Sequence, residues 1–162
     1  MGKSDEKKVL WVLFFFGIFS FFQLVKKPPI KDWLIIFLLK GYIASILDNL
    51  FVKKGYLKYP VTLFKTFDIS VLFSYIIFPV TCIYFNQVTK NSGLIAIILK
   101  CILFSLPSSL AEHWIEKKTD LIKYKKGWTS FHSFTSIAST FLAVRFLMGG
   151  IRKMTQWEEM NN

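Results

Sequence analysis

Residues 9–25 carry no charged side chain, and four more apolar runs follow at 33–52, 69–85, 94–114 and 128–148, each with at most a few ionisable groups inside it. A helix of about 17–20 residues spans roughly 26–30 Å, the thickness of a bilayer's hydrocarbon. In that medium no water is present to satisfy backbone N–H and C=O groups, so each run must close its hydrogen bonds internally, as a helix. The 162-residue chain therefore reads as one all-α domain, a polytopic transmembrane bundle of about five membrane helices.

The punctuation between the runs agrees. Lys7-Lys8 ahead of the first run imitates a signal peptide, but the run ends in Lys26-Lys27-Pro28-Pro29 without a small-residue cleavage site, which predicts a retained first helix. Asp32 is placed to cap the second helix, and Lys53-Lys54-Gly55 closes it. Residues 56–67, with Pro60 and several aromatics, are expected to lie along the membrane interface. In the third run Ser70, Ser74 and Thr81 recur at helical spacing. In the fifth, Thr129, Ser133, Ser136 and Thr140 follow at steps of four, three and four, a stripe suited to close, hydrogen-bonded contact with other helices.

Lys and Arg outnumber Asp and Glu by 21 to 10, a net charge of +11. Beside apolar runs such an excess sets orientation and meets anionic lipid, and no nucleic-acid-binding motif accompanies it. With alternating spans, one side receives Lys3, Lys7, Lys8, Lys53, Lys54, Lys58, Lys65, Lys117, Lys118, Lys123, Lys125 and Lys126, twelve in all; the other receives Lys26, Lys27, Lys31, Lys90, Arg152 and Lys153, six. The richer side is expected to be cytoplasmic, which puts the amino terminus inside and the carboxyl terminus outside. The scarcity of arginine (Arg145 and Arg152 only) beside abundant Lys, Phe and Ile suits an AT-rich bacterial genome, hence a bacterial cell membrane.

The distinctive chemistry lies in residues 105–128, which pass from apolar sequence through Glu112, His113 and Glu116 into a lysine-rich tract. On the predicted topology Lys40, Lys100 and Arg145 fall in the outer parts of their helices. Asp48, Asp68, Glu112, His113 and His132 fall near the inner ends. Ionisable side chains at membrane depth are costly and are functional candidates for that reason, although long cations near a helix end can snorkel to water. Glu112, His113, Glu116 and His132 have the wrong spacing and wrong helix faces for a zincin-type metal site. Ser109 or Ser133 with His132 lacks any nucleophile elbow. No catalytic residue, metal or cofactor is assigned. The expectation is a buried polar network containing Glu112 and His132, with Lys123, Lys125, Lys126 and Trp128 meeting anionic headgroups while Leu121, Ile122 and Tyr124 sit at headgroup depth.

Two stretches, 59–73 running on to Phe78-Pro79, and 106–124 (Leu-Pro-Ser-Ser-Leu-Ala-Glu-His-Trp-Ile-Glu-Lys-Lys-Thr-Asp-Leu-Ile-Lys-Tyr) followed by Trp128 and Ser133, resemble a family of small uncharacterised multi-spanning membrane proteins of Bacillus, Clostridium and their spore-forming relatives. The resemblance implies four or five membrane helices and no particular activity. The functional expectation is a non-enzymatic component of a membrane assembly, partnered by lipid, other membrane proteins or further copies of itself. The alternatives are a small transporter or proton-coupled carrier and, third, a membrane enzyme acting on lipid.

Overall fold

A computed structural model describes residues 3–64 and 66–161 of the chain. Five helices run up and down: α1 (Lys3–Val25), α2 (Ile30–Lys53), α3 (Phe73–Val88), α4 (Leu94–Lys118) and α5 (Ser130–Asn161). Four of them, α1, α2, α4 and α5, are long and apolar enough to cross a membrane; α3 is shorter, and its first five residues, Phe73–Ile77, are wound as a π-helix. The molecule is a polytopic transmembrane helical bundle. Its surface suits that medium: Phe15, Phe16, Phe19, Leu38, Ile95, Leu99, Leu103 and Phe146 all point outward, as apolar residues facing lipid or another membrane protein do.

Helix ends depart from the apolar runs in both directions. α4 continues through Lys117 and Lys118, and α5 runs thirteen residues past 148, because Glu, Lys, Met and Gln propagate a helix about as well as apolar residues do. Helical winding of the third span starts at Val71, just ahead of α3, rather than at residue 69, and Ile69 and Ser70 are buried before it. Asp32 does not cap α2. Pro29 holds the N-cap position, and Asp32, in the first turn, accepts a 2.6 Å bond from Arg152 Nε. The C-terminal end of α2 closes through Gly55 at φ 75°, where Gly55 N–H reaches Val52 O and Tyr56 N–H reaches Phe51 O at 2.9 Å each, the two bonds of a Schellman motif.

The start of α1 and the second and fourth connections gather at one end of the bundle, here the near end. Leu57–Lys58 (β1) pairs antiparallel with Lys123–Tyr124 (β2), Lys126 Nζ donates to Lys54 O at 2.7 Å, and Val61 N–H donates to Asp120 O at 3.2 Å. Residues 56–64 are thus tied to the 119–126 connection, with Leu57 and Val61 buried. Leu121 and Ile122 are likewise buried within the protein. Glu6, 1% exposed, accepts from the Asp120 backbone N–H at 2.8 Å and clips α1 to the same connection. At the far end Trp33 Nε1 donates to Lys27 O at 2.6 Å and Gln87 Nε2 to Leu24 O at 2.8 Å.

α1 meets the π-helical turn through Gly17. A Cβ there would lie 2.5 Å from Ile76 Cγ2 and 3.3 Å from Ile77 Cδ1, and the branched Ile76 is stiff at χ1. Gly17→Ala is expected to lower stability in detergent micelles by about 1–3 kcal/mol, since overpacking displaces a well-set neighbour. Gly150→Ala, where a Cβ meets nothing within 4 Å, is expected to be neutral or slightly stabilising. Equal thermal unfolding temperatures for the two variants would show that α1 packs elsewhere.

Candidate functional site

The near half of the bundle interior is polar. Three ionisable side chains from two helices, Lys40 and Asp48 of α2 and Glu112 of α4, line a single cavity of about 40 Å³ with Tyr59, Trp128, Ser133, Ser136 and Thr140. A water needs roughly 10–15 Å³ of such space, so the chamber has room for about three. Lys40 and Asp48 share it because they lie two turns apart on one helix face. Glu112 enters from α4, and the hydroxyl stripe of α5 supplies the opposite wall.

Each ionisable group is held by a hydroxyl from another element. Lys40 Nζ donates to Thr140 Oγ1, which in turn donates to Ile137 O at 2.9 Å; the ammonium also lies 5.0 Å from the Phe141 ring centre and 5.7 Å from that of Phe78. Asp48 accepts from Ser74 Oγ of α3, and the Tyr59 side chain lines the same cavity. Glu112 Oε1 accepts from Ser133 Oγ at 2.7 Å and Tyr124 Oη at 2.9 Å, and Trp128 Nε1 donates to Ser133 Oγ at 2.9 Å. Burial pushes the Tyr59 phenol well above its ordinary range, with the Asp48 and Glu112 carboxylates acting in the same direction. Burial first, then Glu112, raises Tyr124 likewise. Both phenols stay protonated, and Tyr124 donates to the Glu112 carboxylate beside it.

The other candidates scatter. His132 is exposed: its Nδ1 sits 2.8 Å from Thr129 Oγ1 and its ring stacks on Trp128 at 5.3 Å. It does not reach Glu112, because residues 132 and 133 leave α5 about 100° apart and Ser133 takes the inward position. His113 is part-buried beside Glu112 but on another face, with Nδ1 unpartnered. Glu116 offers its backbone carbonyl to Lys123 Nζ at 3.0 Å, and Asp68 is exposed on the loop before α3. Lys123 also pairs with Asp120, Lys125 is exposed, and Trp128 is turned inward to Ser133. Among the described residues no group of three or more His, Cys, Asp or Glu side chains is placed to hold a metal ion. Cys82 and Cys101 are free and buried.

No protein-family model, curated protein or solved structure matches this chain.

The three cations differ sharply. Lys100 does snorkel, donating to Val88 O at 2.8 Å and Ser92 Oγ at 3.0 Å. Arg145 reaches the carbonyls of Thr89 and Lys90, at 3.0 and 3.4 Å, where the exposed C-terminal carbonyls of α3 favour a cation. Lys40 stays inside, 2% exposed. Beyond it the far half is an apolar plug of Trp33, Ile36, Ile83, Phe85, Phe141, Val144 and Met148, so the chamber ends blind. Tyr124, Ser74 and Thr140 act as partners that no sequence motif marks; only the hydroxyl spacing on α3 and α5 pointed toward two of them.

A double-mutant cycle separates the two possible partners of Glu112. Glu112→Gln with Ser133→Ala is expected to show a coupling of about 0.6–1.7 kcal/mol, the range of interhelical hydrogen bonds in membranes. Glu112→Gln with His132→Ala should be additive. Thermal unfolding in micelles measures both, and coupling to His132 alone would contradict the geometry.

Proposed function

We propose that this protein is a non-enzymatic component of a membrane assembly, with the Lys40–Asp48–Glu112 chamber as its functional core. The observation that carries this reading is the way the chamber is built. Its charged groups are each tied by hydroxyls to a second helix or connection, and its far side is closed by apolar packing. Such a network fixes how helices sit against one another. A second reading, a proton-coupled carrier, is favoured by one specific feature: Lys40 faces a water-sized space without an ion-pair partner among the described residues. The resemblance in the 106–124 stretch to membrane proteins of spore-forming bacteria supports a bacterial cell membrane.

The test is reconstitution of the purified protein in vesicles loaded with a pH-sensitive dye, together with crosslinking in native membranes. The expected result is no proton flux above protein-free vesicles and a discrete crosslinked species of higher mass. A flux that Asp48→Asn or Lys40→Met abolishes would replace the assembly reading with the carrier.

Orientation belongs to the same proposal. The near end gathers α1's start and the lysine-rich second and fourth connections, and the positive-inside rule makes that end cytoplasmic. Alkaline phosphatase fused after residue 162 is expected to be active, with a fluorescent protein at the same site dark. The reverse pattern would invert the topology.

A further inference from the structure

Between α3 and α4 the bundle opens sideways. The two helices are consecutive yet touch sparsely, since α4 packs along α5 while α3 is held by α2 and α1. Two compartments fill the gap. The deeper, about 160 Å³, is walled by Phe73, Ile77, Phe78, Ala111 and Ile115, with Glu112 at its inner limit. The shallower, about 590 Å³, lies between Tyr84, Leu103, Phe104 and Pro107 and ends at Lys100. Thr81 and Ser108 line both, so the two compartments adjoin at these side chains, and together they are treated as one groove.

We propose that this groove seats one acyl chain of a phospholipid, with the phosphate held at Lys100 and the chain end in the deeper compartment. Lys100 and Glu112 are twelve residues apart on α4, about 18 Å along the helix, against roughly 15 Å for one leaflet's share of the hydrocarbon. Most of the wall residues are apolar, with Thr81, Ser108, Tyr59 and Glu112 the polar ones between the ends. The groove opens on the outer face of the bundle, so a chain enters without crossing water. At the far end the chemistry changes sign in the way a phosphate needs. The Lys100 ammonium spends two of its three N–H donors on Val88 O and Ser92 Oγ and keeps the third for an anionic oxygen. Lys90, exposed on the same connection, adds a second positive charge. This site uses different residues from the lysine-rich tract and stands whether or not the chamber belongs to an assembly.

The experiment places the full chain in phosphatidylcholine vesicles containing a trace of phosphatidylglycerol spin-labelled near its chain terminus. A motionally restricted component is expected in the electron paramagnetic resonance spectrum. Ser108→Trp and Thr81→Trp, which fill the junction of the two compartments, should each remove most of it; Ile95→Trp, on an exposed face of α4, should leave it unchanged. Lys100→Gln should keep the chain restricted but reduce the preference for labelled phosphatidylglycerol over labelled diacylglycerol by roughly fivefold, the effect of one basic group at a membrane surface. Should one tryptophan variant fail to fold, judged by its helical circular dichroism, the other carries the test. A restricted component that survives a folded junction variant is ordinary boundary lipid and overturns the proposal. An unaltered preference in Lys100→Gln overturns the phosphate contact.

Discussion

Lys40→Met is expected to raise the stability of the solubilised protein, by about 1–3 kcal/mol. Replacing a buried charge with an apolar side chain of similar volume is often stabilising by that order, because the ion's desolvation outweighs what the interior returns. Lys40 is 2% exposed, and its contacts are one hydroxyl and the faces of Phe78 and Phe141. No carboxylate forms an ion pair with it among the described residues, whose ion pairs are Lys8–Asp5, Lys123–Asp120 and Arg152–Asp32. A cation over an aromatic face contributes at most about 2 kcal/mol when desolvated, and a hydroxyl bond about 1 more. A lysine at mid-membrane costs about 2.5–3.5 kcal/mol. Thermal unfolding of wild type and variant in the same detergent decides the sign. A loss above about 1 kcal/mol would make Lys40 a structural pin. A gain would mean the chain carries a destabilising cation at the head of its chamber, which is where a functional group is expected.

Phe141→Ala is expected to be the most damaging single change in the apolar plug, at about 3–5 kcal/mol. The ring is fully buried, stacked on Phe85 at 5.5 Å with a 24° interplanar angle, and packed into the cluster that closes the far half of the bundle. Truncation leaves a cavity that the rigid helices on either side cannot fill. The same ring lies beneath the Lys40 ammonium, so Phe141→Leu, which keeps most of the volume, separates packing from charge. Phe141→Leu should cost more in the wild type than in Lys40→Met, and the difference, about 1–2 kcal/mol, measures the cation–ring attraction. Identical costs in the two backgrounds would show that the ring acts by packing alone.

The chamber was half legible in the sequence. Asp48 and Glu112 stood out because a carboxylate in an apolar run has few ways to be satisfied, and the hydroxyl steps on α3 and α5 marked the faces that meet them. His132 was misplaced because sequence position gives depth but not azimuth. One residue along a helix turns the side chain by about 100°, and Ser133 holds the inward direction. Tyr59 and Tyr124 were not legible as neighbours of the carboxylates, since both sit in connections that carry no periodicity. Their placement follows from β1 pairing with β2, a contact between segments more than sixty residues apart. Glu6 went unnoticed for the same reason: its acceptor role depends on the backbone of Asp120.

Lys40, Lys100 and Arg145 mark the division between the two levels. All three read as cations a few turns from a helix end, and the sequence alone allowed each to snorkel. Lys100 and Arg145 find carbonyls at the far end, while Lys40 is turned inward toward Thr140, a hundred residues on. What the sequence determined by itself was the class of fold. Apolar runs long enough to cross a bilayer leave the backbone no option but helices, and their alternation with basic connections dictates an up-and-down bundle. What only the tertiary structure decided was the site: which face of each helix turns inward, which hydroxyl meets which charge, and that α3 and α4 part to leave a groove. Helix formation is a local matter of closing hydrogen bonds four residues apart, whereas a chamber or a groove is the space left between helices, and that depends on how their side chains interlock.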